Sequence, residues 1–243
     1  MEFRTNFYLM LFLDIFWYSV HVIGIKVLFN NIDTLGGLTE NEMLFFVANM
    51  FVIDAFEMCV FNSNCWMLPD LIRKGTFDFY LIRPISSIFL SCFRYFSLGS
   101  FGNLIVSIAF LVYTFLNLSI EFSALTFFIY LLFLANGIAV RFSLKFIFIL
   151  PAFIIIDAQP LQEIRMSAEK FLENPDVIYK GFLRRILLYV IPYILIVSFP
   201  VKSFIRSVGL FEGFMSLVVG VSSVLVFVFL WNRVLKFYTS ASS

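Results

Sequence analysis

The stretch RKGTFDFYLIRPISS (residues 73–87) is a compact, mixed-charge segment that lies between strongly apolar ones. Gly75 follows a potential helical turn and favours its termination, because glycine readily adopts the left-handed conformation found after helix ends. Asp78 then stands where its carboxylate can cap a second helix. Pro84 directs Ile82 and Arg83 towards an extended conformation. The pattern predicts two short helices joined by a rigid turn.

These two predicted helices form what we call the shelf, residues 69–87. Its apolar side chains and its charges of both signs would provide a docking surface for a cytoplasmic partner. An amphipathic helix lying on lipid headgroups would show the same pattern. The residues alone leave both interpretations open.

The composition around the shelf is that of an integral membrane protein. Of 243 residues, 61% are hydrophobic and 14% are charged, whereas soluble domains average about 45–50% apolar and about 25% charged residues. Mean hydropathy is +0.97. The net charge of +1 provides no basic field for nucleic acid. We expect one all-α membrane domain over residues 1–243.

Six membrane-spanning helices are predicted from apolar runs of about 20 residues. They cover residues 7–29, 43–61, 97–116, 123–140, 146–170 and 209–231. The first run exceeds the apolar core of a signal peptide and no cleavage pattern follows it, so an uncleaved span is expected. Pro192 and Pro200 interrupt the apolar stretch before the last span, which is typical of a re-entrant pair of half-helices.

The distribution of basic residues predicts the orientation. Basic residues cluster in and after the shelf, whereas the loop 30–42 contains acidic residues but no Lys or Arg. By the positive-inside rule, the shelf and both termini are cytoplasmic. Lys180, Arg184 and Arg185 would oppose this rule if they were external. Charge alone therefore leaves the side of residues 161–185 open.

Sequence motifs for catalysis are missing from the chain. No GxxxxGK(S/T), GxSxG or HExxH pattern occurs. The three cysteines lack the paired spacing of a zinc site or a disulfide framework. We therefore expect neither a catalytic residue nor a metal or cofactor in this chain.

Four ionisable residues fall inside the predicted spans: Asp14, His21, Asp54 and Glu57. The first two are seven residues apart and the last two are three apart, so each pair shares a helix face. One hypothesis is a proton or substrate relay. The other is ion pairing between helices, with Arg94 or Arg141 as a partner. No regular series of carboxylates continues along the path, which favours pairing, and His21 is expected to pack at a helix interface.

The shelf resembles the signature of a known transporter family. Residues 75–84, GTFDFYLIRP, are similar to the pattern G-x-(L/F)-D-x-x-L-x-(R/K)-P of the ABC type-2 permeases. Weaker similarities follow the same order along the chain, at residues 2–7 (EFRTNF), 174–200 and 231–242 (WNRVLKFYTSAS). The sequence resembles the compact six-span permease subunits of this family over nearly its whole length.

The resemblance implies partners and residue roles. Such a permease pairs with a second permease chain, identical or related, and docks two ATP-binding subunits that hold ATP and Mg. The shelf would transmit closure of the ATPase to the spans. The coupling residues implied are Arg73, Lys74, Gly75, Asp78, Arg83 and Pro84. Arg73 and Lys74 would contact the ATPase, whereas Asp78 and Arg83 would organise the shelf.

The resemblance also implies a location and a topology. Residues 171–206 would form an external re-entrant helix pair, and the protein would lie in the bacterial plasma membrane among its lipids. Export of a lipid-like or amphipathic substrate is expected, since the bundle offers few polar candidates for a lumen.

Two departures from the family pattern affect these expectations. The family usually has a longer cytoplasmic helix before the first span, whereas this chain starts almost at the span. An aromatic pair near the end of the fifth span is replaced by Ile-Ile-Asp at 155–157. The packing at that point stays open.

Other classes of function compete with a permease. A proton-coupled secondary transporter would use Asp14, Asp54 or Glu57 and would respond to a pH gradient without ATP. A membrane-embedded enzyme is disfavoured because the chain contains a single histidine. A structural scaffold would show no substrate-dependent conformational change.

Overall fold

The structure, a computed structural model, describes residues 2–118, 120, 123–155, 159–206 and 208–238, and in these residues it consists of helices and loops without a β-strand. Within these ranges the chain forms eleven α-helices joined by loops and by short 3-10 helices. The α-helices are α1 Glu2–Phe29, α2 Glu40–Val60, α3 Asn62–Arg73, α4 Asp78–Leu81, α5 Ser87–Phe93, α6 Phe101–Leu116, α7 Ala124–Ile147, α8 Gln159–Glu169, α9 Gly181–Tyr189, α10 Tyr193–Ile205 and α11 Leu210–Val234. The 3-10 helices are Leu98–Ser100, Leu150–Phe153, Lys170–Glu173 and Asp176–Ile178.

Among the residues that the structure describes, five helical segments are long and apolar enough to cross a membrane. They contain α1, α2, α6, α7 and α11. The pair α9 and α10 provides a sixth candidate if it counts as one broken span, since the two helices meet at an angle of 89°. Pro192 occupies the N-cap position of α10. Because proline has no N–H to donate, it favours a break at this position.

The segment 146–170 differs from the single spanning helix expected there. Helix α7 continues past residue 140 to Ile147 and is followed by the 3-10 helix Leu150–Phe153. The separate helix α8 is amphipathic, with Arg165 buried and Ile164 exposed. Arg141 and Lys145, near the end of α7, form ion pairs with carboxylates of α2 inside the bundle, and the helix continues through them. Ile156 and Asp157, which stand where the family usually has an aromatic pair, lie outside the described residues. Residues 239–242, the end of the segment that resembles the family's C-terminal pattern, lie outside them as well.

Helix α2 forms the centre of the bundle. Every residue from 43 to 53 is buried, and the helix contacts α1, α6, α7 and α10. A helix that is apolar on all sides is stable only when other elements surround it. The other four long candidate spans, α1, α6, α7 and α11, present much more of their surface outward, as expected for contact with lipid or with another chain.

Helices α7 and α10 pack unusually closely. Helix α10 is buried along most of its length, and its Ile196 backbone faces Gly137 of α7. A Cβ atom at Gly137 would collide with the carbonyl group of Ile196. The missing side chain therefore permits this contact.

Candidate functional site

The shelf begins with a tight turn after α3. Gly75 has φ +70°, and the N–H of Phe77 donates to the carbonyl oxygen of Leu71 at 3.1 Å. This is the left-handed turn expected from the sequence, and it reverses the chain between α3 and α4.

The conformation before Pro84 differs from the expectation, because Ile82 is helical with φ −80° and ψ −9°. Only the residue directly before a proline is strongly restricted, so the restriction does not extend to Ile82.

Phe77 anchors the shelf to the bundle. Its side chain is fully buried and lies edge-on to Phe153, Trp231 and Tyr238, with ring centroids 5.1, 6.3 and 5.3 Å away. The indole Nε1 of Trp231 also donates to Ser87 Oγ at 3.2 Å. These contacts join the shelf to the 3-10 helix Leu150–Phe153, which follows α7, and to the C-terminal part of α11 and the residues after it.

Asp78 does not cap α4 as expected. Phe77 holds the N-cap position, no side chain caps the helix, and Asp78 is its first residue. A carboxylate there still interacts favourably with the helix dipole. Burial, and then the nearby Asp78 carboxylate, raise the pKa of the Tyr238 hydroxyl to about 12. Asp78 therefore faces the C-terminal end of the last helix.

The outer side of the shelf is exposed and carries both charges and apolar groups. Arg73 forms an ion pair with Asp70 at 2.8 Å, and Lys74 lies 3.8 Å from the same carboxylate. The neighbouring Phe79 and Ile82 are 62% and 77% exposed. Arg83 and Pro84 are exposed as well. Surface ion pairs of this kind contribute little to stability, so these side chains are available for a partner.

Asp54 and Glu57 belong to a buried ion-pair network between α2 and α7. Arg141 contacts Asp54 at 2.7 Å and also pairs with Glu57. Lys145 pairs with Glu57 and donates to Asn62 Oδ1 at 2.7 Å. Arg141 is thus the partner that the pairing hypothesis named. Arg94, its other suggested partner, instead lies over the rings of Tyr80 and Tyr95.

Asp14 and His21 are not brought together in a common site. The Nδ1 atom of His21 lies 3.0 Å from the carbonyl oxygen of Trp17 in its own helix. Its ring packs against Trp17 and Phe51, with centroids 4.0 and 6.1 Å away. Asp14 is near enough to Asp54 for the two carboxylates to interact electrostatically. His21 has the packed interface position that was expected.

Two further charged clusters were missed by the sequence reasoning. In α8, Arg165 is buried, donates to Gln162 Oε1 at 3.0 Å and pairs with Glu169. The spacing of four residues between Arg165 and Glu169 was the available signal. The second cluster surrounds Asp176, which accepts from Arg184 at 2.8 Å and from Lys202 at 2.6 Å. No local spacing indicates a cluster with partners 8 and 26 residues away.

Comparison with known proteins identifies the family. The family described as "ABC-2 family transporter protein" matches residues 15–242. No curated protein and no solved structure matches the chain. The family match spans the shelf, the buried ion-pair network and the candidate spans from residue 15 onward, and it confirms the resemblance to this family seen in the sequence. The chain therefore belongs to the ABC-2 transporter family, in which it is a multi-pass membrane protein.

Proposed function

We propose that this chain is the permease subunit of an ATP-driven exporter. In this proposal it works with two ATP-binding subunits, which hold ATP and Mg, and with a second permease chain. The shelf and both termini are cytoplasmic, residues 171–206 are external, and the membrane is the bacterial plasma membrane. The family match supports a transporter subunit. The direction of transport and the partners are our extension of it.

The observation that carries this proposal is that the shelf packs against the bundle on its inner side and is exposed on its outer side. Its inner side is fixed through Phe77 and Trp231 to the 3-10 helix that follows α7 and to α11. Its outer side presents Arg73, Lys74 and Phe79. A force applied to the outer side would therefore move these helices as a rigid body, which is the form of motion that alternating access requires. Coupling of this kind must be reciprocal between nucleotide and substrate binding.

The exposed side of α8 supports pairing with a second permease chain. Arg165 and Glu169 lie close enough to Lys145 of α7 to interact with it electrostatically, so α8 runs beside this candidate span. On its other side, Glu163 and Ser167 are exposed. Lipid tails cannot solvate a carboxylate. We infer that this side faces water or the second chain, along the route of an amphipathic substrate.

The ion pairs of Asp54 and Glu57 favour the permease over a proton-coupled transporter. Arg141 pairs with both carboxylates inside the bundle, and Lys145 pairs with Glu57. If one of these carboxylates took up a proton, a buried cation would lose a charged partner. The two residues are therefore better suited to holding α2 against α7 than to carrying protons.

The test is co-purification of the chain with an ATP-binding subunit encoded beside it, followed by an ATPase assay. Charge reversal at Arg73 and Lys74 is expected to lower the amount of bound ATPase. Lys180→Glu, an exposed change far along the chain, serves as the control. Asp78→Ala is expected to insert normally and to hydrolyse ATP without transport. Purification without any ATPase, or normal coupling in Asp78→Ala, would contradict the role assigned to the shelf.

A further inference from the structure

The chain between α7 and Asp176 crosses the bundle from the shelf to its opposite end. At the shelf, the Phe153 ring contacts the Phe77 ring, with centroids 5.1 Å apart. Asp176, in contrast, lines a pocket together with Leu38. Leu38 comes just before α2 and the shelf follows the end of α2, whose 21 residues separate these two levels by about 30 Å. The segment that contains α8 therefore passes through the thickness of the bundle.

Lys170 directly follows α8 and lies at the depth of Arg141. Tyr193, the first residue of α10, is near enough to both Glu169 and Arg141 to interact with them electrostatically. Glu169 interacts in the same way with Lys145, which lies one turn beyond Arg141 in α7. The Lys170 side chain is exposed, and it has no ion-pair partner among the residues that the structure describes. A cation is thus present on the outer side of the bundle, between its two ends.

Asp14 lies at the same depth on α1. The Tyr18 ring stacks on the Phe51 ring with centroids 3.8 Å apart, and α1 and α2 run in opposite directions because a short loop joins them. One turn back along α1 and one turn forward along α2 bring Asp14 beside Asp54. The two carboxylates are near enough to interact electrostatically, and Asp54 contacts Arg141 at 2.7 Å. Asp14 and Arg141 therefore share one level.

The charges at this level do not balance within one chain. Three carboxylates, of Asp14, Asp54 and Glu57, face two cations, those of Arg141 and Lys145. Asp14 is only half-buried, and within the described part of the chain it pairs with no cation. Helix α1 packs against α2 and α6, whereas the 3-10 helix after α8 packs mainly against α10. The unpaired carboxylate and the unpaired lysine thus lie on different sides of the bundle.

A second copy of the chain can satisfy both groups. Lipid tails do not solvate a charge, so a charged side chain inside a membrane pairs with an opposite charge within reach. Two copies related by a two-fold axis along the membrane normal keep every residue at its own depth. In such a pair each contact between two different surfaces occurs twice. Asp14 of one copy and Lys170 of the other are then at matching levels and have opposite charges.

We propose that α1 packs against α8 and the following 3-10 helix of a second copy, with an ion pair between Asp14 and Lys170 in each of the two equivalent contacts. Exposed apolar side chains lie one turn from each charge, Trp17 on α1 and Met166 on α8, and they would shield the ion pair from water. The contact rests on the proposed function in one respect, the pairing of two permease chains. It further assigns the second chain as a copy of this one.

The first test is cross-linking in native membranes between two differently tagged full-length copies. One copy carries Asp14→Cys and the other Lys170→Cys, and a short bifunctional thiol reagent is added. We expect a dimer that carries both tags. Ser19→Cys replaces Asp14→Cys in the control, because Ser19 is exposed but points about 140° away around α1. The native cysteines are buried, and a chain without an added cysteine measures their background.

The second test is a double-mutant cycle on the dimer fraction in a neutral detergent. Asp14→Asn and Lys170→Gln are each expected to weaken the dimer by roughly tenfold. The double variant should be no weaker than either single variant, because the second change removes a group that has already lost its partner. Lys236→Gln, an exposed lysine beyond α11, is the control and should leave the dimer unchanged.

Three results would overturn the contact: equal cross-linking from Ser19→Cys, additive losses in the double variant, or a chain that dimerises only with a related permease. The melting temperature of each variant is recorded first. If Asp14→Asn melts early, the comparison of Lys170→Gln with Lys236→Gln decides, and equal effects would contradict the ion pair. Neither test uses an ATP-binding subunit, so the absence of such a subunit would contradict the proposed function and leave this contact standing.

Discussion

The ring of Phe77 lies edge-on to the ring of Trp231, with centroids 6.3 Å apart and planes at 66°. This contact joins two parts of the chain that are more than 150 residues apart in sequence. Both side chains are fully buried. Edge-to-face aromatic pairs contribute beyond the apolar area that they bury, so the position of the shelf depends on the last helix.

Phe77→Ala should destabilise the protein by about 3–5 kcal/mol, because it removes a buried ring and leaves a cavity. The measurement is the loss of folded protein on heating in detergent. Phe79→Ala is the matched control, since Phe79 is 62% exposed and lies two residues away. We expect little change in its stability, but a weaker association with an ATP-binding subunit. Equal melting of the two variants would show that Phe77 is not the anchor.

Glu57→Gln should be strongly destabilising, by about 3–5 kcal/mol, because Arg141 and Lys145 both lose a buried charged partner. The double variant Glu57→Gln with Lys145→Met should recover part of this loss, since it removes the cation that Glu57 neutralises, whereas Arg141 keeps Asp54 as a partner. Glu212→Gln, in an exposed position of α11, is the control. Melting temperature in detergent is again the measurement. A double variant less stable than Glu57→Gln alone would contradict the network.

Gly137→Ala should lower stability by about 1–3 kcal/mol, the range found for overpacked cores. The added methyl group would push the Ile196 carbonyl, and with it α10, away from α7. Gly24→Ala adds the same group to a helix where it would meet nothing within 4 Å. That control is expected to be neutral or slightly stabilising, because alanine favours a helix over glycine. Similar losses in both variants would rule out the close contact as the cause.

The native cysteines should not react with a membrane-impermeant maleimide in the folded protein. All three are buried, and burial raises the pKa of Cys65 to about 12 and that of Cys92 well above its ordinary value. The thiolate is the reacting form. A raised pKa makes the thiolate scarce below that pKa, so labelling should stay low between pH 7 and about 9.

This low background allows the topology to be tested. Arg185→Cys is expected to label in intact cells, whereas Arg73→Cys should label only after the membrane is opened. Both positions are exposed in the folded chain. Labelling of both from the same side would contradict the external placement of residues 171–206.

The shelf shows which features can be predicted from local sequence and which cannot. Gly75 at φ +70° ends α3 as predicted, because the left-handed conformation is a property of one residue. The position of Asp78 at the start of α4 was also predicted, but its neighbour Tyr238 was not. That contact depends on where the last helix ends in space.

The sequence alone determined that the chain is a helical membrane protein, since runs of about 20 apolar residues must pair their backbone groups within helices. It also determined the family, through the residues at 75–84. Only the tertiary structure decided that α7 continues through Arg141 and Lys145, because the carboxylates that neutralise them lie more than 80 residues away in α2. It likewise decided the charge cluster at Asp176, whose partners meet only when α9 and α10 fold back against residues 175–178. A hydropathy scale assigns every charged residue a fixed unfavourable free energy of burial. The actual free energy depends on the ion-pair partners, which are known only from the folded chain.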